Sequence, residues 1–251
     1  MRKKKILITG FPHTGTSILK SKMGECSNVF EWPFESPIVN ADIVNAAGEK
    51  EFILVKYPIL PIEIRANHLL HATSNTIYKD YIIVFVIRNP WNVYTSIIKS
   101  GCNPLNGLPP NSNNPDYHSK WEEYEVAAKY FLDSKNKELY PNLYSIKYED
   151  FFTNNYEKLR KLFDDIGLRY TEEIFYNRSK DYIHWQGKNY NEIDKENVSY
   201  EKDRFEYRTW QINQPFQNMN GEVDISEELN QILSDSKIIM ELGYTDPRKI
   251  K

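Results

Sequence analysis

Cysteine is nearly absent from this chain: Cys26 and Cys102 are its only two in 251 residues. They show no metal-ligand spacing, so their expected role is packing, as thiols in a reducing compartment. Long apolar runs are also missing. Met1–Lys5 resembles the charged start of a signal peptide, but only Ile6–Ile8 follows before polar Thr9, too short a run for export or for a membrane span. There is little excess charge of either sign. A formal net charge of −3 and a pI near 6.0 argue against a general polyanion binder, such as a nucleic-acid-binding protein, and leave room for a local cationic pocket. Repeats, low-complexity tracts and a clear linker are absent too. With 40% hydrophobic and 14% aromatic residues, the expectation is a soluble, cytoplasmic protein folded as one domain over residues 1–251. The sequence specifies no oligomeric state.

One further absence is local and more telling. Residues 6–19 read ILITG-FPHTGTS-IL: a β-branched strand, a Gly/Pro loop and a helix start. Gly10 and Gly15 bracket four residues, as in the phosphate-binding loop G-x-x-x-x-G-K-S/T, but the lysine position holds Thr16, followed by Ser17. The N–H groups of such a loop, with the helix N-terminus behind it, bind phosphate whatever the side chains. The missing lysine removes the group that reaches the β- and γ-phosphates of a triphosphate. The loop is therefore expected to hold a phosphate, and not that of ATP or GTP.

Strands and helices alternate along the rest. Lys4–Thr9 leads into the loop and a helix from about Thr16 to Glu25. Phe52–Lys56 ends at Tyr57-Pro58, where proline stops the strand. Tyr81–Arg88 is a nearly continuous apolar run, as for a central parallel strand buried on both faces. Pro90 suits the first turn of a helix running to Ser100 and closed by Gly101. Leu143–Tyr148 reads as a strand, Tyr156–Ile166 as a helix stopped by Gly167, and Ser226 caps a last helix that Gly243 ends. This alternation predicts an α/β protein with a central, mostly parallel sheet flanked by helices in three layers. Residues 102–116 form a Pro/Asn-rich loop of the kind that edges a substrate site, and residues of about 171–224 are polar, aromatic and aperiodic.

The strand Tyr81–Ile87 ends in Arg88-Asn89-Pro90, where a nucleotide triphosphatase usually offers a magnesium-binding aspartate. An arginine is a fixed fork suited to phosphate. Ser96 lies two turns into the next helix, so Arg88 and Ser96 could grip one phosphate together, although an arginine at a strand end also occurs as a solvated or paired charge.

Together these segments resemble the family of sulfotransferases that use 3′-phosphoadenosine 5′-phosphosulfate (PAPS). GFPHTGTS is similar to the family's 5′-phosphosulfate loop, P-K/R-S-G-T-S/T. FVIRNPWNVYTSII resembles its 3′-phosphate segment, R-N/D-P-x-D/N-V-x-x-S, with Arg88 and Ser96 in place. LYSIKYEDFFTNNYEKLRKLFDDIGL is similar to its Y-E-D-L/F strand end and following helix, and KIIMELGY to its last helix. The matches come in the family's order. The resemblance implies a P-loop-type fold and transfer of a sulfuryl group from PAPS to an acceptor hydroxyl or amine, leaving 3′-phosphoadenosine 5′-phosphate (PAP), with no metal. It implies that His13, Thr14, Gly15, Thr16 and Ser17 wrap the 5′-phosphosulfate, that Arg88 and Ser96 hold the 3′-phosphate, and that Tyr148 lines the adenosine pocket.

His13 departs from the pattern, standing where the family has lysine or arginine. Lys56 matches the lysine that ends the corresponding family strand, and the resemblance implies that Lys56, aided by His13, stabilises charge on the leaving oxygens. The general base that an alcohol acceptor requires is assigned by resemblance to Glu35, with Glu31, His68 and His71 as rivals. His68 and His71 lie one helical turn apart with no cysteine or acidic partner nearby, and read as face residues rather than a metal pair. Arg208 is the candidate cation over the 3′-phosphate and Trp210 a wall of the pocket, although the family's R-K-G signature is missing. Aromatic and amide residues (Trp32, Phe34, Trp185, Gln186, Tyr190, Trp210, Gln211) favour a carbohydrate or other polyhydroxylated acceptor. Two other readings stand beside the enzyme: a sulfotransferase-like protein that binds nucleotide or glycan without turnover, and an atypical P-loop kinase.

Overall fold

The structure, a computed structural model, describes residues 2–57, 78–99, 121–134, 141–176, 216, 218 and 220–249. Five parallel strands form its sheet: β1 (Lys4–Gly10), β2 (Val29–Glu35), β3 (Phe52–Lys56), β4 (Tyr81–Ile87) and β5 (Leu143–Lys147), in the order β2-β3-β1-β4-β5. Among the described residues the α-helices are α1 (Thr16–Gly24), α2 (Ala41–Ala46), α3 (Pro90–Lys99), α4 (Trp121–Asp133), α5 (Glu157–Ile166), α6 (Glu227–Asp235) and α7 (Lys237–Glu241).

The period-2 alternation of a strand explains the layers. Leu7, Ile53, Val55, Ile83, Phe85 and Ile87 point to one face, where side chains of α3, α4, α6 and α7 complete an apolar cluster. Ile6, Ile8, Phe52, Leu54, Val84 and Val86 point to the other, against Leu19 and Met23 of α1 and Leu159, Phe163 and Ile166 of α5. Both faces of the three central strands are covered, which is why they read as unbroken apolar runs. The expected α/β architecture of three layers is the one found.

Several boundaries differ from expectation. The strand β5 ends at Lys147, because Tyr148–Phe151 turns at once into a 3-10 helix. The C-terminal helix is two: Ser226 caps α6 by accepting from the Leu229 N–H at 3.2 Å, but the backbone of Ser236 is extended and its hydroxyl bonds Glu125 of α4 at 3.1 Å. That side-chain bond diverts the chain for one residue before α7 starts. The helices α2 and α4 and the strand β2 were not legible from periodicity. β2 carries Pro33 mid-strand, which only an edge strand tolerates, and it is the sheet's edge. Its pairing with β3 is irregular there: Glu31 answers Leu54 and Glu35 answers Lys56, so the three residues Trp32-Pro33-Phe34 stand opposite Val55 alone, a bulge.

Candidate anion site at the carboxyl ends of the strands

In a parallel sheet every strand ends at the same edge, and ligands of open α/β sheets bind there. Here that edge brings together Gly10 from β1, Lys56 at the end of β3, Arg88 just after β4, and Tyr148 just after β5. Between Gly10 and α1 the chain makes a compact loop, in which Thr14 bonds the Phe11 carbonyl through both its N–H (3.3 Å) and its hydroxyl (2.6 Å). His13 and Gly15 flank Thr14 with φ of 64° and 97°. Alternation of left-handed residues turns successive N–H groups inward, the geometry of an anion-binding nest. The N–H groups of Thr16, Ser17 and Ile18 add to it, since the first intrahelical bond of α1 runs from the Leu19 N–H to the Gly15 carbonyl at 3.1 Å.

Gly15 is fixed by packing as well as by φ. A Cβ there would stand 2.4 Å from Cδ2 of Tyr148, a side chain only 2% exposed. The other face of the matter is Arg88, whose guanidinium lies 4.3 Å from the centroid of the Tyr148 ring. Arg88 Nε donates to Asn220 Oδ1 at 2.9 Å and Nη1 to the His13 carbonyl at 3.3 Å, while its own carbonyl accepts from the Tyr124 hydroxyl at 2.6 Å. The His13 ring shares a hydrogen bond of 2.9 Å between Nδ1 and Ser96 Oγ. Arg88, His13 and Ser96 thus form one connected group on the β4–α3 side of the loop.

Lys56 occupies the opposite side. Its ammonium lies 2.6 Å from the Glu35 carboxylate and donates to Ser17 Oγ at 2.7 Å. The bulge in β2 brings Glu35 level with Lys56. Glu31 takes another partner, Lys20 of α1, at 3.3 Å, and burial pushes its carboxyl above the usual range, with Lys20 pulling it part of the way back. The structure therefore joins Glu35, not Glu31, directly to Lys56, and joins His13 to Ser96.

Sequence reading missed Asn220 and the role of Glu149, whose carboxylate accepts from the Asn89 N–H at 2.9 Å and the Tyr244 hydroxyl at 3.1 Å. Glu149 sits in the recognisable Tyr-Glu-Asp strand end; nothing local marks Asn220. His68, His71, Cys102, residues 102–116, Trp185, Gln186, Tyr190, Arg208, Trp210 and Gln211 lie outside the described residues. Among the described residues no group of three or more His, Cys, Asp or Glu side chains is placed to hold a metal ion. No helix among them is long and apolar enough to cross a membrane.

No family model matches the sequence, and no curated protein matches it either. Solved structures do. The sulfotransferase domain from the curacin biosynthetic pathway is 16% identical, with 98% of this chain and 99% of that domain covered and a TM-score of 0.50. The sulfotransferase domain from the Synechococcus PCC 7002 olefin synthase is 13% identical, with 98% of each chain covered and a TM-score of 0.53. The chain has the fold of PAPS-dependent sulfotransferases.

Proposed function

We propose that the protein is a sulfotransferase, moving a sulfuryl group from PAPS to an acceptor hydroxyl or amine and releasing PAP. The observation that carries this reading is the convergence of Arg88 and Ser96 on His13 of the phosphate loop. A nest of backbone N–H groups beside a separate arginine–serine pair suits a ligand with two anionic ends, as PAPS has. A triphosphate site would be expected to carry a lysine after Gly15 and an acidic strand end; here those places hold Thr16 and Arg88.

In this reading the N–H groups of His13–Ser17 hold the 5′-phosphosulfate. Arg88 and Ser96 hold the 3′-phosphate, Tyr148 forms the floor of the adenosine site, and Arg208 covers the 3′-phosphate. PAPS supplies an activated sulfuryl group. Lys56 stands at the loop through Ser17 and meets negative charge that grows on the leaving phosphate oxygen, with His13 assisting from the other side. Glu35 takes the acceptor's proton as the acceptor oxygen bonds sulfur and the sulfur–phosphate oxygen bond breaks. No metal is required, since the cations are side chains.

The acceptor is proposed to be a small molecule or carbohydrate. Phe30, Trp32 and Phe34 run along β2 as a ladder with ring centroids 6.4 and 5.4 Å apart, and the half-exposed Phe34 stands next to Glu35. Such a wall suits the apolar face of a sugar or ring. His13 in the basic slot favours a second reading, nucleotide binding without turnover.

Calorimetric titration with PAP, ADP and ATP, with and without magnesium, tests the proposal. Metal-independent binding that needs the 3′-phosphate and collapses in Arg88→Ala supports it. Preference for ATP with magnesium sinks it in favour of a kinase. Tight PAP binding with no transfer to any acceptor moves the protein to the second reading.

A further inference from the structure

We propose that Asn220 is a positioning residue for Arg88, locked in that task by the carboxylate of Glu149. The inference rests on the reading of Arg88 as ligand of a 3′-phosphate. An arginine recognises phosphate through a planar fork, so the plane must be fixed before the ligand arrives. Among the described residues, three contacts help fix it. Tyr148 supports the face, the His13 carbonyl accepts from Nη1, and Asn220 Oδ1 accepts from Nε at 2.9 Å.

The amide of Asn220 can serve only one way round. Its Nδ2 donates to Glu149 Oε1 at 3.4 Å, an oxygen that also accepts from the Asn89 N–H. The nitrogen therefore faces Glu149 and the oxygen faces Arg88. Glu149 is itself held: Oε1 accepts from the N–H of Asn89, the residue after Arg88, and Oε2 from the Tyr244 hydroxyl. Burial and the Glu149 charge push the Tyr244 phenol far above its ordinary range, so it stays a donor. One carboxylate thus anchors both the backbone beside Arg88 and the amide that orients its side chain.

The segment carrying Asn220 is pinned four residues upstream. Phe216 packs on Phe152 and Tyr156 at centroid distances of 5.1 and 5.6 Å, and the Lys22 ammonium lies 5.0 Å from its ring. The Asn220 N–H bonds Asn218 Oδ1 at 3.0 Å. The chemistry of the amide matters as well as its place. A neutral oxygen orients the guanidinium and leaves its charge for an anion; a carboxylate there would compete with the phosphate.

The test is calorimetric titration of wild type, Asn220→Ala, Asn220→Asp, Arg88→Ala and the Arg88→Ala/Asn220→Ala double variant, with PAP and with adenosine 5′-monophosphate, which lacks the 3′-phosphate. Loss of one hydrogen bond to a charged group should weaken PAP about fivefold in Asn220→Ala and leave adenosine 5′-monophosphate within about twofold. Asn220→Asp, of nearly the same shape, should weaken PAP more than alanine does, and it carries the test if the alanine variant fails to fold. In the Arg88→Ala background, Asn220→Ala should add less than about twofold. Equal weakening of both ligands, full additivity in the double variant, or wild-type affinity in Asn220→Asp overturns the positioning role. If Arg88→Ala weakens PAP and neither Asn220 variant does, the positioning role alone falls. If Arg88→Ala leaves PAP affinity unchanged, the assignment of Arg88 falls and the positioning role with it.

Discussion

Replacing Gly15 by alanine tests whether the phosphate loop is built against Tyr148. Two effects add. A non-glycine residue in the left-handed region costs about 1–2 kcal/mol, and Gly15 sits at φ 97°. The new Cβ would also stand 2.4 Å from Cδ2 and 3.0 Å from Cε2 of Tyr148. That ring cannot step aside easily: it is buried, with Phe151 and Phe152 at 5.5 and 5.2 Å and the Arg88 guanidinium over it. Overpacking of this kind costs about 1–3 kcal/mol. The middle of the combined range, about 3.5 kcal/mol, lowers Tm by about 7–14 °C in a protein of this size. Gly48 supplies the control. Its φ is 52°, yet a Cβ there meets nothing within 4 Å. Gly48→Ala should therefore lose about 1–2 kcal/mol, or about 2–8 °C, from backbone strain alone. Thermal unfolding followed by circular dichroism reads both, and PAP titration should show affinity lost in Gly15→Ala only. If the two variants melt within about 2 °C of each other, the contact between loop and Tyr148 does not have the energetic weight assigned here.

Three further outcomes are expected. Lys56→Ala should lower turnover about 100-fold, the scale of losing one group that meets transition-state charge, and should also weaken PAP, whose 5′-phosphate carries that charge in full; near-normal turnover would remove Lys56 from the chemistry. Asp246 is buried and accepts from Arg248 Nε at 3.0 Å and Nη2 at 2.9 Å, which holds its carboxyl below the usual range. A depressed carboxyl adds stability above its unfolded-state pKa and loses it as pH falls through the folded value. Asp246→Asn should thus melt lower than wild type at pH 7, by about 1 kcal/mol given the partly exposed Arg248, with the gap closing below about pH 4. A gap that persists at pH 2 would refute the ion-pair account. Burial, and then the charge of Glu25, push the Cys26 thiol up to about 12. In a Cys102→Ser background, Cys26 should resist a thiol reagent in the native state and react at once in denaturant; fast native labelling would contradict its burial.

Much of the fold was legible because its signals are local. The runs KILIT, FILVK and YIIVFVIR are apolar on both faces, and only strands covered on both sides need that. Glycine closed α5 where expected, Pro90 opened α3, and Ser226 capped α6. The missed elements lack those signals. The strand β2 is an edge strand with a proline and two glutamates, and its pairing depends on β3, about twenty residues away. The break at Ser236 comes from a side-chain bond to Glu125, over 100 residues distant. The site was legible in the same uneven way. The loop Gly10–Ser17 and the Arg88/Ser96 pair stand out as motifs, whereas the choice of Glu35 over Glu31 as the partner of Lys56 follows from a bulge that no periodicity reveals.

The sequence by itself determined which backbone can make a phosphate nest and which residues can line the strand ends, because strand period, helix caps and the Gly10–Gly15 spacing are properties of neighbouring residues. The tertiary structure alone decided the partners. His13 bonds Ser96, Lys56 bonds Glu35 and Ser17, and Asn220 reaches Arg88 across 132 positions of chain. A parallel sheet gathers the ends of strands that the sequence keeps far apart, so charge and hydrogen bonding at that edge are fixed by topology and not by any local pattern.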